Sequence, residues 1–433
     1  MGFREYINQI NEKGLLRTVD IEVSKKLEIS GILKEIEPIQ VIFNNVKESE
    51  FRVIGNMFCT KNVIASYFGV TPADLIPMLS KAITERSKPE IVTNAPCQEI
   101  IEPSVDLDKL PILLHCDKDG GNYISSAIVI TRDPDYGQNM DFHRAMQFSK
   151  DKFATRIVRG RHFHKFLEKN GELEVAFCIG NTPNILIAGA TSVDIGVDEL
   201  EIANALEPIK IVKAHSVDLL IPAEAEFVLE GRVYMEETHS EGPFVDLTET
   251  YDVVREEPVF EVKMITHRKE AIWQALLPGA LEHKILMGMP REPTIFNKVN
   301  EVGVKCLDVN INPGGCSWLH AIVQIDKKSD EDGEKAILGA FAGHTSCKHV
   351  FIVDKDIDIY DPLSVEWAMA TRFQGDINMI MKDKEPGSSL DPSAEPGTKM
   401  TTKIGFDLTK PLVAKGKSFD KAEFPKVDIN KYL

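Results

Sequence analysis

The 433-residue chain carries 50 Lys and Arg against 67 Asp and Glu, a formal charge of −17. That balance argues against nucleic acid and anionic membranes as main partners, since both select basic surfaces. With 43 % hydrophobic and 27 % charged residues the composition is that of a soluble globular protein, and the length predicts about two or three domains.

No apolar run reaches the roughly 18 residues of a membrane span. Met1-Gly-Phe-Arg does not open a signal peptide, and the seven cysteines are scattered without a C-x-x-C. A reducing cytoplasm is expected, with neither a disulfide framework nor a zinc finger.

Phe3, Tyr6, Ile7 and Ile10 recur at helical spacing before Gly14, which predicts a first helix over 3–13. Thr71-Pro72-Ala-Asp74 opens a second helix, with Leu75, Met78, Leu79, Ala82 and Ile83 on one face. Short strands at 40–43 and 51–54 complete an α/β portion over 1–110, closed near Pro103-Ser-Val-Asp.

From 111 to 295 β-runs dominate, at 124–131, 174–179, 184–188, 209–212 and 259–265, around a helix at 197–206. Phe260-Glu-Val-Lys-Met-Ile alternates as a half-buried antiparallel strand does, so this portion reads as a barrel or sandwich. From 296 to 433 the α/β alternation returns, with strands at 302–311, 321–325 and 349–353 and helices at 334–342 and 361–372. Asp354-Lys-Asp356-Ile-Asp358 starts like a calcium loop, but Ile359 and Val365 stand where glycine and glutamate are required, which rejects that reading. Residues 382–403, rich in Lys, Pro, Gly and Ser, read as a long loop. The chain carries no internal repeat, Walker loop, G-x-G-x-x-G or G-x-S-x-G.

Glu241-Gly-Pro-Phe-Val-Asp246 sets two carboxylates around a Gly-Pro turn, between Glu236-Glu237 and the strand-like Tyr251-Asp-Val-Val. Gly242 and Pro243 exclude a helix, so both acids are expected on a bent loop where they converge. Such a pair divides acid and base roles if an arginine holds one charged and burial keeps the other protonated. An acidic surface turn is the other reading.

Lys150, Lys152, Arg156, Arg159, Arg161, His162, His164 and Lys165 form a positive island after Asn139 and His143-Arg144, against the overall charge. It suits a phosphate or carboxylate; the other reading is a solvated face with paired charges. Asn139, His162 and Glu199 make a mixed oxygen–nitrogen ligand set of the kind that suits manganese or magnesium, at separations that match no metal signature. The other histidines match no metal spacing and read as structural, His239 being singled out only for its closeness to Glu241.

In order and over nearly the full length, these pieces resemble the UbiD family of decarboxylases, which use prenylated flavin mononucleotide (prenylated FMN). The resemblance rests on Asn139-Met-Asp-Phe-His-Arg144, Arg161-His162, and 185–190 leading into Gly196-Val-Asp-Glu199. It rests also on Ile221-Pro-Ala-Glu-Ala-Glu226-Phe-Val-Leu-Glu230-Gly, on Glu241-Gly-Pro-Phe-Val-Asp246, and on Thr402-Lys403-Ile-Gly-Phe-Asp407-Leu-Thr409.

It implies an α+β fold in which a central antiparallel split β-barrel binds the flavin between N-terminal and C-terminal α/β portions. Asn139, His162 and Glu199 are then the ligands of a Mn2+ or Mg2+ ion that ties the cofactor phosphate to the protein, with K+ beside it. Gly189-Ala-Thr191-Ser192-Val departs from the proline-rich version of several members where K+ would be contacted. Arg144, Arg161 and Lys403 join the cofactor-binding set, Lys399 being the alternative to Lys403.

Arg144, Glu241 and Asp246 become the catalytic set: Glu241 protonates the carbon that CO2 vacates, Arg144 orients the substrate carboxylate or holds Glu241 in position, and Asp246 orients Arg144. The compact chain is similar to an archaeal branch, which implies conversion of trans-anhydromevalonate 5-phosphate to isopentenyl phosphate. The alternatives are decarboxylation of an aromatic or polyprenylated hydroxybenzoic acid, and a flavin- or metal-binding module without catalysis. A flavin prenyltransferase as cofactor supplier and a homo-oligomer, dimer or hexamer, are implied partners.

Overall fold

Phe3, Tyr6, Ile7 and Ile10, whose spacing predicts the first helix, lie buried along one face of the helix Phe3–Glu12. They do so in a computed structural model that describes residues 1–433 except 414, 415, 417, 420, 423 and 433. The second helix also begins as its sequence dictates. Thr71 donates through its N–H and its hydroxyl to Asp74, a tight turn Pro72–Asp74 follows, and Leu75–Thr84 buries Leu75, Ile76, Leu79 and Ala82.

Arg17–Val19, Val41–Phe43 and Arg52–Gly55 make a small sheet, whose fourth strand, Ile272–Gln274, comes from much later in the chain. Long-range pairing thus joins the first portion to the middle one.

The middle portion is built on a nine-stranded antiparallel sheet. Its path runs Tyr123–Ile124, Ala145–Gln147, Lys152–Thr155, Arg255–His267, Phe227–Glu241, Glu172–Ile179, Ile128–Asp133, Gly137–Phe142, with Ile100–Ile101 added to Arg255–His267. Alternate residues of the inner strands enter different cores. Ile128, Ile130, Ala176 and Cys178 face one apolar cluster, and Val129, Val175, Phe177 and Ile179 face another. With both faces buried these strands read as unbroken apolar runs, because side chains of opposite parity meet opposite layers. The longest pair, Phe227–Glu241 with Arg255–His267, shifts register between Glu230 and Gly231. A side chain at Gly231 would place its Cβ 2.0 Å from the Glu261 carbonyl oxygen.

No pairing joins Tyr123–Ile124 to Gly137–Phe142 among the described residues, so the α+β arrangement stands without a closed barrel. The third portion carries a mixed sheet in the order Cys306–Asn310, His320–Ile325, His349–Asp354, Met400–Asp407, Met379–Pro386.

Two expectations need correction. Residues 184–188, expected as a strand, lie in the helix Pro183–Ala190, all of whose residues are buried. A helix hidden on every side has no polar face, so it lacks the period that separates it from a buried strand. Residues 382–403 are not one loop. Met379–Pro386 and Met400–Asp407 pair antiparallel across a shorter connection, their apolar residues being interleaved with charges.

The helix Leu281–Gly288 is fastened to the first portion by Glu282, 1 % exposed, whose carboxylate accepts the N–H groups of Met57 (3.1 Å) and Phe58 (3.2 Å). Burial pushes this carboxyl up to about 8, against the pull of the two amides. The folded chain therefore keeps its proton where the unfolded chain releases it. The cost is absent below the unfolded value near 4.5, grows as pH rises, and is complete above about 8. Stability is expected to fall by a few kcal/mol between pH 5 and 8 on this account. Glu282→Gln should flatten that slope in denaturant titrations at the two pH values; an unchanged slope would count against it.

Candidate active site

Glu241 is the last residue of the strand Phe227–Glu241, opposite Arg255, and the expected bend follows it at Gly242 (φ +103°) and Pro243. The chain then returns through the short strand Phe244–Val245, paired with Tyr251–Asp252. A neighbouring loop closes on the turn: the Gly120 N–H donates to the Pro243 carbonyl (2.8 Å), and a Cβ on Gly120 would lie 2.1 Å from the Gly242 carbonyl oxygen. Glycine is required there because no side chain fits.

Arg144, between the strands Gly137–Phe142 and Ala145–Gln147, reaches the same turn. Its Nε donates to Glu241 Oε1 (2.9 Å) and its Nη2 to Glu241 Oε2 (3.0 Å). Nη1 donates to Asp246 Oδ2 (3.4 Å) and Nη2 also to Asp252 Oδ2 (3.0 Å). The Phe244 ring lies 5.1 Å from the guanidinium carbon. Burial opposes the charge of Arg144, yet its three carboxylates, Glu241 foremost, outweigh that and raise its affinity for its proton.

Glu241 is fully buried and accepts a third donor, the Tyr123 hydroxyl, at 3.0 Å. Burial, then the Glu241 charge, pushes the Tyr123 phenol upward. Asp119 stands nearby with its Oδ1 buried and unpartnered among the described residues, and burial pushes its carboxyl up to about 6.

A cavity of about 170 Å³ opens against this cluster, lined by Arg144, Phe244, Asp246, His283, Leu286 and Met287 among others. Asp246 faces it; Glu241 is not among its lining residues. His283 Nδ1 accepts the Gly279 N–H at 3.0 Å, which puts the ring proton on Nε2. Burial brings this imidazole down to about 4, keeping it neutral.

Of the three expected metal ligands, Asn139 and His162 touch, and Glu199 is tied to the backbone next to Asn139. Asn139 lies in the strand Gly137–Phe142, His162 opens the helix His162–Asn170, and Glu199 opens the helix Glu199–Leu206. His162 Nδ1 and Asn139 Oδ1 are 3.1 Å apart, and Glu199 Oε2 accepts the N–H of Met140 at 2.8 Å. Asn139 Nδ2 is buried without a partner. Glu199, 3 % exposed, is pushed well up by burial. With Nδ1 protonated, His162 Nε2 keeps a free lone pair. Among the described residues no group of three His, Cys, Asp or Glu is placed to hold a metal ion, so this donor set depends on the Asn139 amide. Its oxygen and nitrogen donors are those a Mn2+ or Mg2+ ion takes.

The positive island is partly neutralised. Lys150 pairs with Asp106 (3.6 Å), Lys152 with Glu237 (2.6 Å) and Arg156 with Glu257 (2.6 Å). Arg159, Arg161 and Lys165 are exposed. Lys403, 4 % exposed in the strand Met400–Asp407, donates to the Thr345 carbonyl at 2.5 Å, whereas Lys399 sits in an exposed turn.

Sequence reading missed Asp252, Tyr123 and His283. Only Asp252 had a signal, its place in the strand-like run after the acidic turn; the others are brought in by the fold.

Family models match three consecutive stretches of the chain. They are the N-terminal (residues 7–83), Rift-related (90–281) and C-terminal (284–408) domains of 3-octaprenyl-4-hydroxybenzoate carboxy-lyase, called UbiD. An anhydromevalonate phosphate decarboxylase of Methanocaldococcus jannaschii is 39 % identical over 428 residues, 98 % of this chain and 99 % of that protein. Its counterpart in Methanosarcina mazei is 41 % identical over 98 % of this chain and 100 % of its own. Among solved structures, the UbiD-class enzyme HmfF from Pelotomaculum thermopropionicum in complex with FMN superposes over the whole of both chains, with a TM-score of 0.96 and 33 % identity. A 3,4-dihydroxybenzoic acid decarboxylase from Enterobacter cloacae follows at a TM-score of 0.91 and 27 % identity, over 100 % of this chain and 98 % of its own.

Proposed function

Since the chain belongs to the UbiD family of carboxy-lyases, we propose that it converts trans-anhydromevalonate 5-phosphate to isopentenyl phosphate and CO2 with prenylated FMN. The carrying observation is Arg144, which bridges buried Glu241 and cavity-facing Asp246 at the mouth of the apolar cavity. Archaeal relatives with that named activity, alignable end to end, support the substrate.

Bound prenylated FMN supplies the electron sink that the carbon left by CO2 requires, which no side chain provides. Asn139, His162 and Glu199 would hold a Mn2+ or Mg2+ ion at the cofactor phosphate, with K+ alongside. Lys403, buried where Lys399 is exposed, and Arg161 add positive charge on that side. The family's split barrel is our reading of the open central sheet.

Geometry favours a different division of labour between the two acids from the one the sequence suggests. Glu241 receives three donors on two oxygens, the arrangement of an anion that fixes Arg144. Asp246 accepts the Leu247 N–H on Oδ1 (2.6 Å) and a long contact from Arg144 on Oδ2 (3.4 Å) but, unlike Glu241, faces the cavity, so it is the carboxyl placed to hand a proton to the vacated carbon. His283, held neutral, lines the same cavity. A cytoplasmic homo-oligomer supplied by a flavin prenyltransferase completes this reading.

A second reading, decarboxylation of an aromatic hydroxy acid, draws support from the cavity itself, which is mostly apolar and whose Arg156 is held by Glu257. Holoenzyme incubated with anhydromevalonate phosphate and, separately, with 4-hydroxybenzoate decides between them. We expect CO2 and isopentenyl phosphate from the first and nothing from the second. The reverse result establishes the aromatic reading, and flavin binding without CO2 from either leaves a binding module.

A further inference from the structure

If the substrate carries a phosphate, a cation outside the catalytic cluster has to meet it, and the arginines around the cavity are occupied. Arg144 and Arg156 are held by carboxylates, as are Arg4 on Glu226 and Arg372 on Asp354 and Asp356 elsewhere in the fold. Arg291 differs. No carboxylate contacts it among the described residues; its one hydrogen bond is from Nη2 to the Ala190 carbonyl, at 3.4 Å. Its Nε is buried without a partner, and its guanidinium lies 5.3 Å from the Trp318 ring centre. Burial together with the nearby charge of Arg161 brings it down to about 10, the mark of a cation lacking its counter-charge. Burial, and after it the charges of Arg291, Lys403 and Arg161, also depress His344, whose ring packs edge-on against Trp318.

Position supplies the other half. Helix Leu281–Gly288, whose His283, Leu286 and Met287 line the cavity, runs directly into the turn Met289–Arg291. Arg291 follows the lining residue Met287 by four positions along this helical stretch, which sets the two on the same face. A stacked guanidinium offers a planar fork of donors that matches a phosphate in two-point contact.

We propose that Arg291 is the specificity residue that binds the phosphate of the substrate, an inference resting on the functional reading above. It assigns the carboxylate end of the substrate to Arg144 and Asp246 and the phosphate end to Arg291, with an apolar stretch between them.

The test uses wild-type, Arg291→Gln and Arg291→Lys holoenzymes, with anhydromevalonate phosphate and with unphosphorylated anhydromevalonate as substrates, flavin content being read by absorbance and mass. Arg291→Gln should raise KM for the phosphorylated substrate by about 30–100-fold, the worth of a lost charged contact, with kcat changed less than about threefold. It should leave flavin content and kcat/KM for the unphosphorylated acid as in the wild type. Arg291→Lys, which keeps the charge and fits more easily, should lie between. Three results would each overturn the inference: an unchanged KM in Arg291→Gln, equal losses on both substrates, or a fall in flavin content. A wild type inactive on the phosphorylated acid sinks the functional reading too; an active wild type with an indifferent Arg291→Gln sinks this inference alone.

Discussion

Asp246→Asn is expected to retain flavin and fold but lose turnover by about 10²–10⁴, the usual worth of a positioned general acid. The substitution keeps shape and an oxygen to accept the Leu247 N–H at 2.6 Å, giving up only the long 3.4 Å contact to Arg144 Nη1, while removing the proton. Glu241→Gln should also be impaired, for a different reason: the amide NH2 would face a guanidinium that now meets two oxygens of Glu241. Glu241→Gln should therefore lower thermal stability along with rate, and Asp246→Asn rate alone. Melting curves and CO2 release on the same preparations read both. Full activity in Asp246→Asn, with a stable but inert Glu241→Gln, would return the acid's role to Glu241.

That exchange of roles shows how far the sequence carries the site. The Gly242-Pro243 bend and both carboxylates were visible in six consecutive residues, because the turn chemistry is local. Burial was not, since it depends on Tyr123 and Arg144 approaching from other strands. The positive island failed in part for the same reason. Its cations are close together in the chain, but Asp106, Glu237 and Glu257 arrive from elsewhere to neutralise three of them. Asn139, His162 and Glu199 had donor types but no telling spacing, and only the resemblance gave them a role; in the fold Asn139 touches His162, and Glu199 accepts the N–H of Met140. At the level of elements, amphipathic helices such as Phe3–Glu12 and Leu75–Thr84 were plain. Pro183–Ala190 was not, because a wholly buried helix erases its own period. Arg291 is the extreme case: only tertiary structure reveals that this arginine lacks an acid.

Arg144→Met should destabilise the fold by about 3–5 kcal/mol, beyond abolishing turnover, since it strips a buried carboxylate of its counter-charge. Glu241 is 0 % exposed and would keep only the Tyr123 hydroxyl. Glu241→Gln alone should cost less, because Arg144 still meets Asp246 and Asp252. The double variant is then expected to be more stable than the sum of the two losses predicts, by about 1–3 kcal/mol, because its neutral amide leaves no charge stranded beside the introduced thioether. Denaturant unfolding of all four apo proteins measures this coupling without reference to catalysis. Coupling near zero would mean that the two side chains, although 2.9 and 3.0 Å apart at two points, do not depend on each other. The structural reason for treating Glu241 as the anion that sets Arg144, and Asp246 as the acid, would then be gone, whatever the variants do to rate.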